Sequence, residues 1–156
     1  DGTVTAGNAS GIVDGAAAVV VSSKAHAASK GWPVIAEIVD WDIAGVAPEI
    51  MGIGPVPAIE GVCKRAGIKV SDVDLIEINE AFAAQYLGCE KLLKLDRDRV
   101  NVNGGAIALG HPLGATGTRI LYSVARELKA RGGKYGIASA CIGGGQGIAV
   151  LVRNVS

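Results

Sequence analysis

Apolar runs of strand length alternate along this chain with stretches whose apolar residues recur every three to four positions, the pattern of a sheet covered by amphipathic helices. Residues 16–22, rich in valine, predict a buried strand, and residues 23–30 a short helix stopped by Gly31. Residues 34–43 predict the next strand. In Pro55–Ala66 the side chains of Ile59, Val62 and Ala66 share one stripe, Lys64 and Arg65 stand beside the negative helix end, and Gly67 closes the helix. Leu75–Ile78 predicts a short strand that leads through Asn79 and Glu80 into a helix from about 81 to 93. Residues 114–131 place Ile120, Leu121, Val124, Ala125 and Leu128 on one face and Arg119, Arg126, Glu127 and Lys129 on the other, ending at Gly132 and Gly133. Tyr135–Ile142 and residues 148–152 flank the glycine-rich stretch 143–147, which predicts an antiparallel hairpin. The whole reads as one α/β domain without internal repeats.

Composition narrows the function classes. The 156 residues carry 15 Lys+Arg against 15 Asp+Glu, and 49% are hydrophobic. That length and apolar content support a real core and exclude disorder. Zero formal charge gives no field to gather phosphates, so broad nucleic-acid binding or attachment to an acidic membrane is not expected. Apolar runs such as 16–21 fall far short of the ~20 residues that cross a bilayer. The chain opens with Asp1 and carries no basic-then-apolar leader, so any targeting segment is expected to have been removed or to lie outside it. Cys63, Cys89 and Cys141 are odd in number and never spaced as C-x-x-C, which argues against a disulfide framework or a zinc site and for a reducing compartment.

The 23 glycines are clustered, which points to sharp turns at a site. Their spacing does not match phosphate-binding loops. Residues 105–110 have the two Walker glycines, but His111 and Pro112 stand where Lys and Ser or Thr are needed. The stretch 143–147 has no G-x-G-x-x-G register and joins two strands. The serine of 7–11 comes one position too late for a nucleophile elbow; this loop is either a turn with Asn8 and its glycines at positive φ or a ligand-lining loop. His111 lies among small residues, just before a long helix with free N–H groups, an arrangement suited to a catalytic loop. Its plain alternative is a histidine that ties the loop to itself. Cys141 is either a small buried hydrophobe or a thiol beside oxyanion donors at Gly143 and Gly144. Asn79 is either a helix cap or an amide aimed at a ligand or water. Open α/β sheets bind ligands beyond their strand carboxyl ends, so Asn79, His111 and Cys141 could converge there for acyl or proton-transfer chemistry.

Taken together, five stretches resemble the thiolase family: 1–11 (DGTVTAGNASG), 51–57 (MGIGPVP), 79–83 (NEAFA), 101–117 (NVNGGAIALGHPLGATG) and 141–145 (CIGGG). The chain resembles the C-terminal half of a thiolase over residues 1–156, and is most similar to mitochondrial-type 3-ketoacyl-CoA thiolases. The resemblance implies a thiolase-like α/β half, with a mixed five-stranded sheet covered by helices. It implies an acyl-CoA C-acyltransferase that moves an acyl group between 3-ketoacyl-CoA and CoA, by thiolytic cleavage or the reverse condensation of acetyl-CoA. His111 would activate the nucleophilic cysteine and help hold the thioester oxygen, and Asn79 would position a water in the same oxyanion hole. Cys141 would be the acid/base at the α-carbon, with the Gly143 amide in a second oxyanion hole. Ser10 and Ala6 match the pantetheine channel, and Phe82 a pocket wall. Thr116 stands where the family usually has Ser. The family's nucleophilic cysteine belongs to the N-terminal half, and neither Cys63 nor Cys89 matches its motif, so the 156-residue chain alone is expected to be inactive. Further implications are CoA as co-substrate with no permanent cofactor or metal, an N-terminal thiolase domain as partner, and a homo-oligomer, dimer or tetramer. The compartment implied is the mitochondrial matrix, with cytoplasm or peroxisome as alternatives, in fatty acid β-oxidation. The competing expectation is a non-catalytic thiolase-like module for CoA binding or assembly.

Overall fold

The apolar stripe of Pro55–Ala66 makes that segment a buried helix: Ala58, Ile59, Val62 and Cys63 are withdrawn from solvent against the sheet. Gly67 ends it in the left-handed conformation, φ +69°, which returns its N–H to the Lys64 carbonyl at 3.2 Å. The computed structural model describes residues 2–155; Asp1, the first residue of the first motif, lies outside the described residues.

The elements run α1 (Lys24–Ser29), β1 (Ala36–Gly45), α2 (Pro55–Ala66), β2 (Leu75–Ile78), α3 (Ala83–Leu93), α4 (Ala106–Leu109), α5 (Leu113–Arg131), β3 (Tyr135–Ile142) and β4 (Gln146–Asn154). Short 3-10 turns occupy Pro48–Ile53, Val70–Asp72 and Arg97–Arg99. The strands form a mixed sheet in the order β1-β4-β3-β2, with β1/β4 and β3/β4 antiparallel and β2/β3 parallel. Strand alternation gives each face its own core. On one face α2 and α3 cover Ile76, Ile78, Ile137, Ala149 and Leu151. On the other, Ile120, Val124 and Leu128 of α5 cover Leu75, Ala138 and Val152.

Two expectations are corrected. Among the described residues the sheet has four strands rather than five, because 16–22 forms no strand and leaves Val19, Val20 and Val21 exposed. An apolar extended run becomes a strand only where a neighbouring edge offers backbone groups and a face to cover; hydrophobic periodicity records the demand for burial and carries nothing about the partner. The helix expected from about 81 begins at Ala83, since the chain bends at Ala81, stays extended at Phe82 and pairs there with residues 8–10: Phe82 bridges Ala9, and the Ala83 N–H donates to the Asn8 carbonyl at 2.8 Å.

Edge strand β1 is pinned to α2 by Arg65, and to β4 by the Arg153–Glu37 ion pair at 2.7 Å. Arg65 of α2 meets Asp40 and Asp42 at 2.8 Å each and donates to the Trp41 carbonyl, beside the register shift between Ile38 and Asp40.

Candidate active site

The site is built where parallel strands β2 and β3 end. Ile76 and Ile78 point to the α2 side, so Glu77 and Asn79 point to α5. The Asn79 N–H donates to the Ser139 carbonyl at 2.9 Å, which carries the pairing one residue past β2 and holds its side chain at 2% exposure. Asn79 is not a helix cap, since α3 starts four residues later.

Asn101 then substitutes for a strand neighbour on the open edge of β2. In a left-handed conformation, φ 48°, it accepts from the Ile78 N–H and donates to the Ile78 carbonyl, both at 2.9 Å. Its amide also donates to one oxygen of Glu80 at 3.2 Å, and the other oxygen accepts from the Ile107 N–H at 3.1 Å, at the start of α4. The loop leaves α4 through Gly110, φ 94°, and the His111 N–H donates to the Gly11 carbonyl at 2.9 Å. His111 is thereby fixed through its own backbone and through the loop before it.

Its ring has two neighbours. Nε2 lies 3.3 Å from Asn79 Nδ2, and Nδ1 lies 2.7 Å from Thr116 Oγ1, whose hydroxyl is 3.0 Å from the Pro112 carbonyl. Burial, and then the positive charge of Arg119, hold the His111 pKa below the ordinary histidine value, so the ring is a neutral base at neutral pH. The Asn79 Oδ1 atom is buried without a partner, as is Arg119 Nε. Buried polar atoms of this kind are rare, and Asn79 Oδ1 sits where a water or ligand donor would complete the site. Below it, burial pushes the Glu77 carboxyl up to about 7, against the opposing pull of Arg119 and with help from Glu80 and Glu127.

Cys141 stands near the carboxyl end of β3, half-buried and opposite Gly147, and burial raises its thiol above the ordinary cysteine value. Strand alternation puts it on the side of Ile137 and Ser139, where Cys89 is an electrostatic neighbour. Among the described residues no hydrogen bond joins Cys141 to the Asn79–His111 pair; the structure brings those two together and leaves Cys141 at the adjacent strand end. Gly143 follows, exposed, in the turn 143–145, whose last residue, Gly145, is buried. Ser10 donates through both its N–H and its hydroxyl to the Ala81 carbonyl, at 3.0 and 3.2 Å, beside the partly exposed Phe82. Ala6 is on the exposed turn before it. That turn is held by Asn8, which accepts from the Thr5 N–H at 2.7 Å, and Gly7, Asn8 and Gly11 are not at the positive φ that the plain-turn alternative required. Cys63 and Cys89 are buried packing residues, their thiols raised to about 11 by burial.

Sequence reasoning missed Asn101, Thr116 and Arg119 as parts of the site. Thr116 carried a signal, since a hydroxyl one turn into the helix after His111 is placed to return to the ring. Among the described residues no group of three or more His, Cys, Asp or Glu could hold a metal, and no helix is long and apolar enough to cross a membrane.

Residues 32–154 match the family described as "Thiolase, C-terminal domain". The chain is 57% identical over 156 residues to the mitochondrial 3-ketoacyl-CoA thiolase of Pongo abelii, covering 100% of this chain and 39% of that protein. It is 52% identical over 155 residues to the acetyl-CoA acetyltransferase of Escherichia coli (strain K12), covering 99% of this chain and 39% of the relative. The crystal structure of human mitochondrial 3-ketoacyl-CoA thiolase in complex with CoA superposes with a TM-score of 0.93 at 54% identity, over 100% of this chain and 40% of that one. The chain thus spans about two fifths of the length of these relatives.

Proposed function

The chain belongs to the thiolase family, and on that premise we propose that it is the C-terminal half of an acyl-CoA C-acyltransferase. The reaction is acyl transfer between a 3-ketoacyl-CoA and CoA, by thiolytic cleavage or the reverse condensation. The observation that carries this reading is the neutral His111 imidazole, set 3.3 Å from the buried Asn79 amide at the end of two parallel strands. Such a ring accepts the proton of a cysteine thiol supplied by an N-terminal half, which then attacks the thioester carbonyl. The protonated ring, with a water held by Asn79, stabilises the oxyanion that forms. Cys141 takes and returns the proton at the α-carbon, and the Gly143 amide serves a second oxyanion. Ser10, Ala6 and Phe82 line the approach for the CoA arm and acyl chain.

CoA is a co-substrate, and no resident cofactor or metal takes part. Exposed apolar side chains support a missing partner half: Ile12 is 89% exposed, Val20 81%, Leu113 67% and Trp41 60%. Residues 1–156 act as one such half, in a homo-oligomer, dimer or tetramer, in the mitochondrial matrix.

The test is to combine the chain with an N-terminal thiolase half, as a second polypeptide or a fusion, and to follow CoA-dependent cleavage of acetoacetyl-CoA. His111→Ala and Cys141→Ala are each expected to lower turnover by roughly 10² to 10⁴. Near-normal turnover in both variants would overturn the assignment, and covalent labelling of the isolated chain by acyl-CoA would overturn the division of labour between the halves.

A further inference from the structure

We infer that Thr116 is a positioning residue that decides which ring nitrogen of His111 carries the proton, keeping it on Nδ1 and leaving Nε2 as the basic atom. Three contacts around the ring point to this arrangement. The Pro112 carbonyl can only accept, Asn79 Nδ2 can only donate, and the Thr116 hydroxyl owns a single proton. Sending that proton to Pro112, at 3.0 Å, leaves the Thr116 oxygen to accept from Nδ1–H at 2.7 Å. The Nε2 lone pair then faces the Asn79 donor at 3.3 Å, and every contact has one proton in it. The opposite tautomer sets Nε2–H against the Asn79 N–H and draws the Thr116 proton away from Pro112, which loses two of the three contacts. Thr116 is 2% exposed on the first turn of α5, so water does not stand in for its hydroxyl.

The catalytic meaning rests on the acyl-transfer reading given above. An Nε2 lone pair is the atom that can take the thiol proton, and the ring, once protonated there, becomes the donor to the thioester oxygen. The proton passes from sulfur to nitrogen and nothing is oxidised or reduced. A neutral imidazole free in water can carry its proton on either nitrogen. Without Thr116 part of the population would therefore hold the proton on the wrong side.

The experiment reads the ring nitrogens directly. The full chain is labelled with 15N-histidine and spectra are recorded above the titration of His111, with His26→Gln used to assign the two histidines. The expected result is a pyrrole-type Nδ1 and a pyridine-type Nε2 for His111. A pyrrole-type Nε2 overturns the inference, and this arm needs no variant at position 116. Thr116→Val should move the two resonances toward each other as the tautomers mix, and Thr116→Ser should restore the separation; unmoved resonances in the valine variant also overturn it. Turnover is not the readout, so a failure of the acyl-transfer reading registers in the cleavage assay and a failure here registers in the ring nitrogens.

Discussion

Replacing Glu77 by Gln should stabilise the protein at pH 8 and leave it nearly unchanged at pH 4. Glu77 is 4% exposed beneath Asn79, and burial raises its carboxyl from an ordinary 4.5 to about 7 despite the opposing charge of Arg119. A rise of that size disfavours ionisation in the fold by about 3 kcal/mol. Between pH 4.5 and 7 the native chain holds a proton that the unfolded chain has released. The stability tied to this group is therefore complete below 4.5 and is lost as pH rises through 7, with a slope of up to about 1.4 kcal/mol per pH unit. Gln has the shape of the protonated carboxyl and does not titrate, so the variant's advantage should grow from near zero at pH 4 to roughly 3 kcal/mol at pH 8. Urea unfolding of both proteins across this range, followed by circular dichroism, gives the difference directly, and other titrating groups cancel in it. Stability curves that run parallel with pH, or a wild type that gains on the variant as pH rises, would refute the reasoning.

Two further outcomes follow from the same region and from the hairpin. Arg119→Met removes the positive charge that helps hold the His111 pKa down, so that pKa should rise in an NMR titration, and an unchanged midpoint would show that burial alone sets it. A methyl on Gly147 would land on the backbone of Gly54 at the start of α2, whereas one on Gly143 meets nothing within 4 Å. Gly147→Ala should therefore cost about 2 kcal/mol or more, and Gly143→Ala less than about 0.5 kcal/mol, in urea unfolding; equal costs would count against the close approach.

Elements with a strong period and explicit stop signals were legible in the sequence. Pro55–Ala66, Leu75–Ile78 and Tyr135–Ile142 form at their expected bounds, and the long helix begins at Leu113, one residue early, and ends at Arg131 before Gly132. Each combines an apolar period with local chemistry that needs no distant partner to be read. The final strand was underestimated: it runs over Gln146–Asn154 because pairing with both β1 and β3 outweighs the weak strand preference of its polar ends.

The site was legible to the extent that its chemistry is local. His111 and Asn79 stood out by residue type and by place at a loop and a strand end, and they do meet. What joins them was not legible, since Asn101 and Glu80 act through tertiary hydrogen bonds spanning 23 and 27 residues, to Ile78 and Ile107. A side chain that mimics a strand partner has no period to announce it. The same reasoning explains residues 16–22. Their valines carry the burial pattern of a strand, and among the described residues of this chain no edge receives them. That unmet demand for burial supports the partner half proposed above. The nearby Pro112–Ala115 and Val13–Ala17 segments, which line a cavity of about 310 Å³ beside the start of α5, place that demand next to the loop that carries His111. On the reading proposed above, an N-terminal half that covers residues 16–22 reaches the segment beside that loop, so assembly and activity should be gained together when such a half is supplied.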